Sequence, residues 1–393
     1  MSAVTWKTLE RCRGCHAPKE RWRDVLRLDA MPLAGQFCVN SDEARAAERY
    51  PLSWVQCTRC GLVQVVEDVD DVTLYRRYNY SSSSVGGLVR HFEGYAAALV
   101  ERFGATRPLR VLEIGCNDGV LLRRLPPAWT KLGVDPSDVA ARGRTSEYEL
   151  ISAPFELKLA RELGARADQF DLVTASNCLA HISDLRDVFE GIEAVLAPHG
   201  ELVIEVHDLD ALLHMSQWDT IYHEHKAEWS ERSIRACLGE LGLELQKVER
   251  LATHGGLLRA WFTRGQPQAP AVTELEDFSA LRQAYESRRS TATYRTLESV
   301  AASGGRIAAY GAAGRANVWL NQHPELPFEY IVDDSPLRVN RFLPAVRTPI
   351  VPATRLGESP SDVCLITAWN YAADIRRNNP AYAGKWLTAF GDD

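Results

Sequence analysis

Two histidines and two carboxylates lie within seven residues of this 393-residue chain, in segment 219–225, which reads Asp-Thr-Ile-Tyr-His-Glu-His. Imidazole can accept a proton at neutral pH, because its ordinary pKa is about 6.5. His223 and His225 do not have the H-E-x-x-H spacing of zinc proteases. The segment therefore favours acid–base catalysis, and a metal site or a purely structural polar loop are the alternatives.

Four cysteines form two C-x₂-C pairs, Cys12 with Cys15 and Cys57 with Cys60, separated by 41 residues. Each pair can direct two thiolates at one ion, as in a tetrahedral structural zinc site. A redox C-x₂-C motif is the alternative, but it normally begins a helix in a thioredoxin-like unit, which this sequence lacks. Four protein ligands leave no position for water, so the predicted zinc stabilises the fold.

Segment 111–119 reads Val-Leu-Glu-Ile-Gly-Cys-Asn-Asp-Gly, an apolar strand that enters a turn with two glycines and continues into a helix-like segment, 120–125. Glycine lacks Cβ, so the backbone can turn sharply and approach a nucleotide closely. Lys131–Asp135 resembles the next strand, and the carboxylate that ends it can accept both ribose hydroxyls.

Two other nucleotide motifs compete for this turn. A P-loop is excluded, because no Gly-Lys-Ser/Thr follows. A dinucleotide turn remains the rival, although the spacing is not G-x-G-x-x-G, and the carboxylate before the first glycine favours a ligand with a cationic amino-acid end. The pattern predicts S-adenosylmethionine (SAM) as cofactor, bound by Glu113, Gly115, Asn117, Asp118, Gly119, Asp135 and Asn177.

Composition narrows the class of protein. Hydrophobic residues make up 46% of the chain, enough for packed cores, and the net charge of −7 comes with dispersed Lys and Arg, which argues against a nucleic-acid partner. No apolar run approaches the roughly 20 residues of a membrane span, and the first residues do not resemble a signal peptide. We expect a cytoplasmic protein whose nine cysteines form no disulfides.

The order of elements predicts an α/β fold. Apolar strands and amphipathic helices alternate from about 90 to 260, which is typical of a parallel sheet covered on both faces. We predict a small zinc-binding domain at 1–85 and a central Rossmann-like SAM methyltransferase domain at 86–264. A connecting helix and a C-terminal Rossmann-like α/β domain occupy 265–393.

Several further motifs give weaker evidence of function when each is considered alone. His181 follows a predicted strand and is either a structural or an acceptor-binding histidine. His254 precedes two glycines, in a tight hairpin or beside an anionic ligand, and Tyr78 belongs to a polar aromatic patch that is either surface or substrate-binding.

A second glycine-rich turn follows a strand near residue 310. It contains Gly311, Ala313 and Arg315, and free amides with a cation suit a phosphate. Small residues are also needed wherever a helix packs closely on a strand, so both interpretations stay open.

Taken together, these motifs resemble the sugar C-methyltransferases that act on nucleotide-linked deoxy-keto-sugars in antibiotic biosynthesis. The resemblance covers nearly the whole chain, and its motifs are the paired cysteines and segments 78–82, 113–119, 222–225, 253–256, 332–336 and 369–371. It implies a zinc-binding N-terminal domain, a central SAM domain and a C-terminal Rossmann-like domain.

The resemblance also implies a mechanism. A base removes the proton next to the keto group, and the enolate carbon attacks the SAM methyl group. His225 corresponds to the base, while Tyr222, Glu224 and His181 would position the sugar and stabilise the enolate. Tyr78, His254, Gly311, Ala313, Arg315 and Asp333 would bind the nucleotide sugar, and a dTDP carrier is expected.

One position departs from the family. Glu228 stands where an aromatic residue is usual, three residues after His225. This departure leaves two alternatives to the nucleotide sugar: SAM-dependent methylation of a non-sugar small molecule, and a non-catalytic, zinc-stabilised binding protein. Neither the atom methylated nor the oligomeric state follows from the sequence.

Overall fold

A computed structural model describes residues 6–71, 74, 81–84, 86–165, 169–269 and 272–391. The chain divides into two compact units. Unit 1 comprises Met1–Asp24, Val55–Ala211 and Lys226–Glu276, and unit 2 comprises Val25–Trp54, Leu212–His225 and Asp277–Asp393. Among the described residues, no helix is long and apolar enough to cross a membrane.

The strands, in chain order, are β1 (Trp6–Thr8), β2 (Trp22–Met31), β3 (Tyr50–Cys57), β4 (Val63–Val65), β5 (Glu67–Val69), β6 (Arg110–Ile114), β7 (Thr130–Val134), β8 (Glu149–Ile151), β9 (Phe170–Ser176), β10 (Leu196–His207), β11 (Ala227–Glu228), β12 (Leu243–Leu251), β13 (Leu257–Arg264), β14 (Ile307–Tyr310), β15 (Phe328–Val332), β16 (Ile350–Val351), β17 (Val363–Ile366) and β18 (Lys385–Thr388).

The helices, in chain order, are α1 (Ser41–Arg45), α2 (Gly86–Phe103), α3 (Asp138–Arg142), α4 (Leu157–Ala165), α5 (Leu185–Val195), α6 (Leu209–His214), α7 (Glu231–Gly239), α8 (Ser279–Glu286), α9 (Ala292–Ala302), α10 (Gly314–Asn321), α11 (Arg355–Glu358) and α12 (Ala372–Asn378).

Unit 1 is built on a seven-stranded sheet with the order β12-β13-β10-β9-β6-β7-β8. The strands from β10 to β8 are parallel, as the alternating pattern predicts, and β12 and β13 add an antiparallel edge. The central strands are short apolar runs in the sequence, because helices cover both faces of such a sheet. Their carboxyl ends, where α/β proteins bind ligands, carry the first glycine turn.

The helix predicted after this turn does not form as an α-helix. Only a single 3₁₀ turn forms, at Leu122–Arg124, and it ends at Leu125. Pro126 and Pro127 follow at once, and the residue before a proline is disfavoured in the α conformation.

The cysteine-bearing segments of unit 1 share a core with the large sheet. Strands β4 and β11 pair antiparallel, as do β1 and β5. Cys12, Cys15, Cys57 and Cys60 belong to one buried cluster with residues of β6, β9 and β10. The zinc-binding segment is therefore not a separate core.

Unit 2 contains a five-stranded, fully parallel sheet with the order β16-β15-β14-β17-β18. Its apolar cluster includes Ala308 and Tyr310 of β14 and Cys364 and Ile366 of β17. The order, with β14 central and crossovers on both sides, places the second glycine turn at the point where the strand order reverses.

Candidate functional site

The four paired cysteines come together in unit 1. Their Sγ atoms all lie within 4.8 Å of one another, and the Cys12–Cys60 and Cys15–Cys57 distances are 3.6 and 3.7 Å. Tetrahedral thiolates at about 2.3 Å from zinc would be roughly 3.8 Å apart. All four are buried. The geometry fits a structural zinc ion held by four thiolates.

A fifth cysteine, which the sequence pattern does not indicate, packs on residues 12–15, which we call the zinc hairpin. A Cβ atom at Gly14 would lie 2.8 Å from Sγ of Cys237, a residue of α7. Only glycine leaves room for this approach, so packing constrains Gly14, which directly precedes the ligand Cys15.

The first glycine turn adopts left-handed backbone conformations, with φ of 69° at Gly115, 49° at Asn117 and 72° at Gly119. A Cβ at Gly115 would lie 2.4 Å from Cβ of Cys178, and one at Gly119 would lie 2.3 Å from Oη of Tyr148. Both positions therefore require glycine for conformation and for space.

Asp135 follows β7 directly and anchors the turn. Its carboxylate accepts the N–H of Asn117 and the N–H of Ser137, each at 2.8 Å. A carboxylate has about four acceptor positions, so two remain for ribose hydroxyls. The structure thus supports the predicted pairing of turn and ribose acceptor.

Two buried carboxylates beside the turn keep an unused oxygen. Glu113 Oε2 and Asp118 Oδ1 have no hydrogen-bond partner among the described residues. Burial, reinforced by the negative charge of Asp135, raises the pKa of Glu113. Unsatisfied acceptors and concentrated negative charge suit SAM, which carries a cationic amino group and a sulfonium.

Residues on either side complete this end of the sheet. Ser81 Oγ donates to Asp118 Oδ2 at 2.6 Å, and the N–H of Ser82 donates to Oδ1 of Asn117 at 2.9 Å. Asn177 follows β9 with φ of 55°, and its N–H donates to the carbonyl of Glu205 at 2.8 Å. No sequence pattern predicts the serine contacts.

Replacing Asp135 by alanine is expected to weaken SAM binding about 30-fold, or roughly 2 kcal/mol, because the turn loses its anchor and the ribose its acceptor. Isothermal titration calorimetry measures this directly. Asp171→Ala is the control, because that carboxylate also accepts a backbone N–H, from Arg110 at 2.9 Å, but at the amino end of the same sheet. Equal weakening in both variants would contradict the assignment.

In unit 2, the 219–225 segment forms a hydrogen-bonded row. Nε2 of His225 lies 2.7 Å from Oη of Tyr222, and Nδ1 lies 3.2 Å from Oγ1 of Thr220. A neutral imidazole donates from one ring nitrogen and accepts at the other, so the Tyr222 phenol donates to Nε2 in the tautomer that carries its proton on Nδ1. Burial, with the positive charge of Arg315, lowers the pKa of His225 to about 3. The imidazole is therefore neutral, with one ring nitrogen whose lone pair can accept a proton.

The other ionisable residues of this segment have different surroundings. Glu224 accepts the N–H of Gly35 at 2.7 Å, and burial raises its pKa to about 7. His223 is fully buried and its Nε2 donates to the carbonyl of Pro51 at 2.9 Å. Glu224 can therefore carry a proton near neutral pH, whereas His223 has a structural contact.

The second glycine turn is anchored by an aspartate. The N–H of Gly311 donates to the carbonyl of Val332 at 2.7 Å. The N–H groups of Ala312 and Ser335 donate to the carboxylate of Asp333 at 2.7 and 2.8 Å. Ala313, also predicted as a ligand residue, is the N-cap of α10.

This turn repeats the construction of the turn in unit 1. There the N–H of Gly115 donates to the carbonyl of Val134 at 2.8 Å, and Asp135 accepts two backbone N–H groups in the same way. Both turns follow the first strand of a parallel sheet, and both aspartates follow its neighbour. The second turn therefore repeats the architecture of the turn in unit 1.

Arg315 supplies a cation beside the second turn. Its Nη1 donates to Oε1 of Gln217 at 3.0 Å and lies 3.7 Å from Oδ1 of Asp219. Its guanidinium lies 4.9 Å from the ring centre of Trp369, which donates to Asp219 at 3.0 Å. Burial raises the pKa of Asp219 to about 6, although Arg315 opposes the shift.

The turn and the 222–225 segment meet within unit 2. A Cβ at Gly314 would lie 2.7 Å from the Tyr222 ring. The structure thus brings together Tyr222, His225 and Arg315 on one side of this unit.

Three predicted residues stand apart. His181 ends a 3₁₀ turn in unit 1, half-buried, and its N–H donates to the carbonyl of Cys178 at 3.0 Å. Tyr78 lies outside the described residues, as does the side chain of His254. Their proposed roles remain predictions.

Unit 1 also contains a buried polar cluster that no sequence motif predicts. Glu205, near the carboxyl end of β10, is fully buried and accepts hydrogen bonds from His91 at 2.9 Å, Ser176 at 2.5 Å and Arg259 at 2.8 Å. A glutamate between Ile204 and Val206, in an otherwise apolar strand, is the signal that could have indicated it.

Three family models match successive parts of the chain. They are described as "Putative zinc binding domain" at residues 12–75, "Methyltransferase domain" at 88–248 and "C-methyltransferase C-terminal domain" at 252–390.

The curated relatives agree with these models. The chain is 32% identical to C-methyltransferase NovU of Streptomyces niveus, over 96% of this chain and 93% of that protein. It is 30% identical to the ubiquinone biosynthesis O-methyltransferase of Bradyrhizobium diazoefficiens, over 24% of this chain and 39% of that enzyme. Among solved structures, the PH0226 protein of Pyrococcus horikoshii OT3 matches with 20% identity over 49% of this chain and 98% of that one, at a TM-score of 0.39, too low to bear on function.

Proposed function

The chain belongs to the family of SAM-dependent C-methyltransferases, and from that premise we propose that it methylates a carbon atom of a nucleotide-linked 4-keto-deoxysugar with a dTDP carrier. The pathway we propose is the biosynthesis of an antibiotic or another secondary metabolite. We also propose the three sequence domains 1–85, 86–264 and 265–393, a division that the three matched ranges support, while the first two share one core.

The second turn is the observation that carries the sugar-nucleotide assignment. SAM already accounts for the turn of unit 1, so the turn of unit 2, built alike, is available for a second nucleotide. The guanidinium of Arg315 would match a diphosphate, and Asp333, which already accepts the N–H groups of Ala312 and Ser335, would offer a further acceptor position to a sugar hydroxyl. A sugar held there would lie in the unit that also contains Tyr222 and His225.

His225 is the base in this proposal. Its lone pair on Nε2 is directed at the Tyr222 hydroxyl, which would turn to the keto oxygen of the acceptor and leave Nε2 for the proton on the adjacent carbon. The phenol then donates to the enolate oxygen, and such a donor can contribute about 3 kcal/mol. SAM supplies the electrophilic methyl group when bound.

The electrostatics of Arg315 favour proton removal only when substrate is present. Arg315 is the second cause of the low pKa of His225, after burial. A diphosphate bound to Arg315 would neutralise that charge and increase the basicity of His225. Glu224, which can be protonated near neutral pH, and His181 would position the sugar.

Glu228 favours a second candidate, a non-sugar small-molecule acceptor. Its side chain is fully buried, and a carboxylate oxygen lies 3.8 Å from Nδ1 of His207 at the end of β10. A buried carboxylate beside an imidazole, where the family has an aromatic ring, changes the chemistry offered to an acceptor. Failure to bind any dTDP sugar would favour this candidate.

Arg315→Gln is expected to raise the KM for a dTDP sugar about 30-fold, because a charge-assisted contact to the diphosphate is lost, while SAM affinity is unchanged. Arg306→Gln is the control, because Arg306 forms an exposed ion pair with Glu329 at the amino end of β14. Steady-state kinetics and calorimetry check both. An unchanged KM in Arg315→Gln would contradict the diphosphate site.

The function is tested by incubating the protein with isotopically labelled SAM and a panel of dTDP-4-keto-deoxysugars, followed by mass spectrometry. A product heavier by one labelled methyl group is expected. SAM binding without transfer to any of these sugars would refute the sugar assignment and direct attention to other small acceptors.

A further inference from the structure

Buried cations join the zinc hairpin to the segments that carry two of the proposed catalytic histidines. We propose that the zinc-closed hairpin is a positioning device, which fixes the backbone beside His181 and beside His225 through a buried charge cluster. The cluster consists of Arg13, Asp68, Asp71, Ser183 and Lys226. The inference rests on the proposed function, because it adds positioning and no new chemistry.

Arg13 provides the link from the zinc site. It lies between the first two zinc ligands, and its side chain is fully buried. Nη1 donates to Oδ1 of Asp68 at 2.9 Å and to the carbonyl of Ser183 at 3.0 Å, and Nη2 donates to the carbonyl of Val65 at 3.2 Å. Its own carbonyl accepts the N–H of Arg186 at 3.0 Å. The hairpin thus contacts the 183–186 backbone twice.

Lys226 provides the link to His225, which precedes it directly. Its side chain is fully buried, and Nζ lies 3.0 Å from Oδ1 of Asp68, 2.5 Å from Oδ1 of Asp71 and 2.8 Å from the carbonyl of Val69. Its carbonyl accepts the N–H of Val65 at 3.0 Å. The residue after His225 is therefore held by both its side chain and its backbone.

Ser183 brings the His181 segment into the same cluster, because it lies two residues further along the chain. Its Oγ lies 2.5 Å from Nζ of Lys226 and donates to Oδ1 of Asp68 at 3.0 Å. His16, next to the zinc ligand Cys15, adds an exposed contact to Asp184 at 3.1 Å. One set of bonds therefore connects both histidine-bearing segments to one zinc hairpin.

The charges of the cluster explain why it has a single arrangement. Two cations, Arg13 and Lys226, face two carboxylates, Asp68 and Asp71. Burial alone would raise the pKa of Asp68, but the two cations outweigh it and lower that pKa. Breaking a buried pair leaves an uncompensated charge, so alternative arrangements of these side chains are strongly disfavoured.

The second C-x₂-C pair offers a natural comparison. Arg59 lies between Cys57 and Cys60 as Arg13 lies between the first pair, and it donates to the carbonyl of Cys15 at 2.8 Å. Its ion-pair partner is Glu240, which follows α7 and also pairs with Arg186 at 3.1 Å, so Glu240 keeps a cation when Arg59 is replaced. Arg59→Gln removes the corresponding arginine of the second pair and leaves every bond of the charge cluster in place.

The test compares Lys226→Met with Arg59→Gln in the full-length, zinc-loaded protein. Zinc content, SAM affinity, melting temperature, steady-state kinetics with a dTDP-4-keto-deoxysugar, and hydrogen–deuterium exchange are measured. In Lys226→Met, we expect kcat to fall at least about tenfold with SAM affinity unchanged, and peptides covering 181–186 and 222–227 to lose protection. Arg59→Gln should retain both kcat and that protection.

Protection in both peptides and kcat equal to wild type in folded Lys226→Met would overturn the inference, as would an equal fall of kcat in Arg59→Gln. If Lys226→Met does not fold, Ser183→Ala provides the test, because it removes the bridging hydroxyl and leaves the charges balanced. Lost protection at 181–186 would support the inference, and unchanged protection would overturn it. If the wild-type protein is inactive on every sugar, only the proposed function is contradicted. The positioning inference can still be tested, because hydrogen–deuterium exchange needs no acceptor.

Discussion

Replacing His225 by asparagine is expected to abolish methyl transfer, with kcat reduced about 10³-fold or more, while SAM binds as in the wild type. Asparagine has no lone pair basic enough to take a proton from carbon. The measurement is the turnover rate with labelled SAM, together with calorimetry for SAM. Exchange of the acceptor's acidic proton with deuterated water should disappear as well.

His223→Asn is the matched control, because the same substitution is made two residues away in the same segment. His223 donates to the carbonyl of Pro51 and faces no proposed acceptor. We expect reduced stability and retained turnover. Turnover by His225→Asn within about tenfold of wild type would contradict the role of His225, because general-base removal is worth more than that.

Replacing Cys60 by serine is expected to remove zinc and prevent unit 1 from folding normally. Structural zinc contributes about 10–16 kcal/mol of apparent binding free energy in isolated fingers, which is comparable to the whole stability of a domain. The four cysteines share the core of the large sheet, so the loss reaches the SAM-binding region. Metal analysis and chemical denaturation measure the change.

Cys364→Ser is the control for replacing a buried thiol by a hydroxyl. Cys364 is fully buried on β17 and is not one of the four clustered cysteines. A cost of about 1–3 kcal/mol with full zinc content is expected there. A Cys60→Ser protein with wild-type zinc content and wild-type stability would rule out the four-thiolate site.

Much of the fold follows from local patterns. Apolar runs that end in a glycine turn predict β6 and β14, and the aspartates that follow β7 and β15 are where a ribose acceptor is expected. The C-x₂-C pairs likewise predict a cluster that the structure places within 4.8 Å. These features can be predicted from the sequence because each depends on residues that are close together along the chain.

The remaining features depend on distant residues and could not be predicted. Lys226 and Asp68 are 158 positions apart, and His91 and Glu205 are 114 apart. Nothing in the neighbourhood of either residue specifies its partner, since buried charges are recognised only when the fold closes around them. The short 3₁₀ turn after Gly119 is a different case, because the prolines at 126 and 127 that limit it follow directly in the sequence.

The central claim is that the methyl group is transferred to carbon. We would incubate the enzyme with ¹³C-methyl SAM and the dTDP-4-keto-deoxysugar that it turns over, and record carbon–proton correlation spectra of the product. The account predicts a labelled methyl group bonded to a ring carbon next to the keto group, at an aliphatic chemical shift. A labelled methyl group bonded to oxygen or nitrogen would contradict the account.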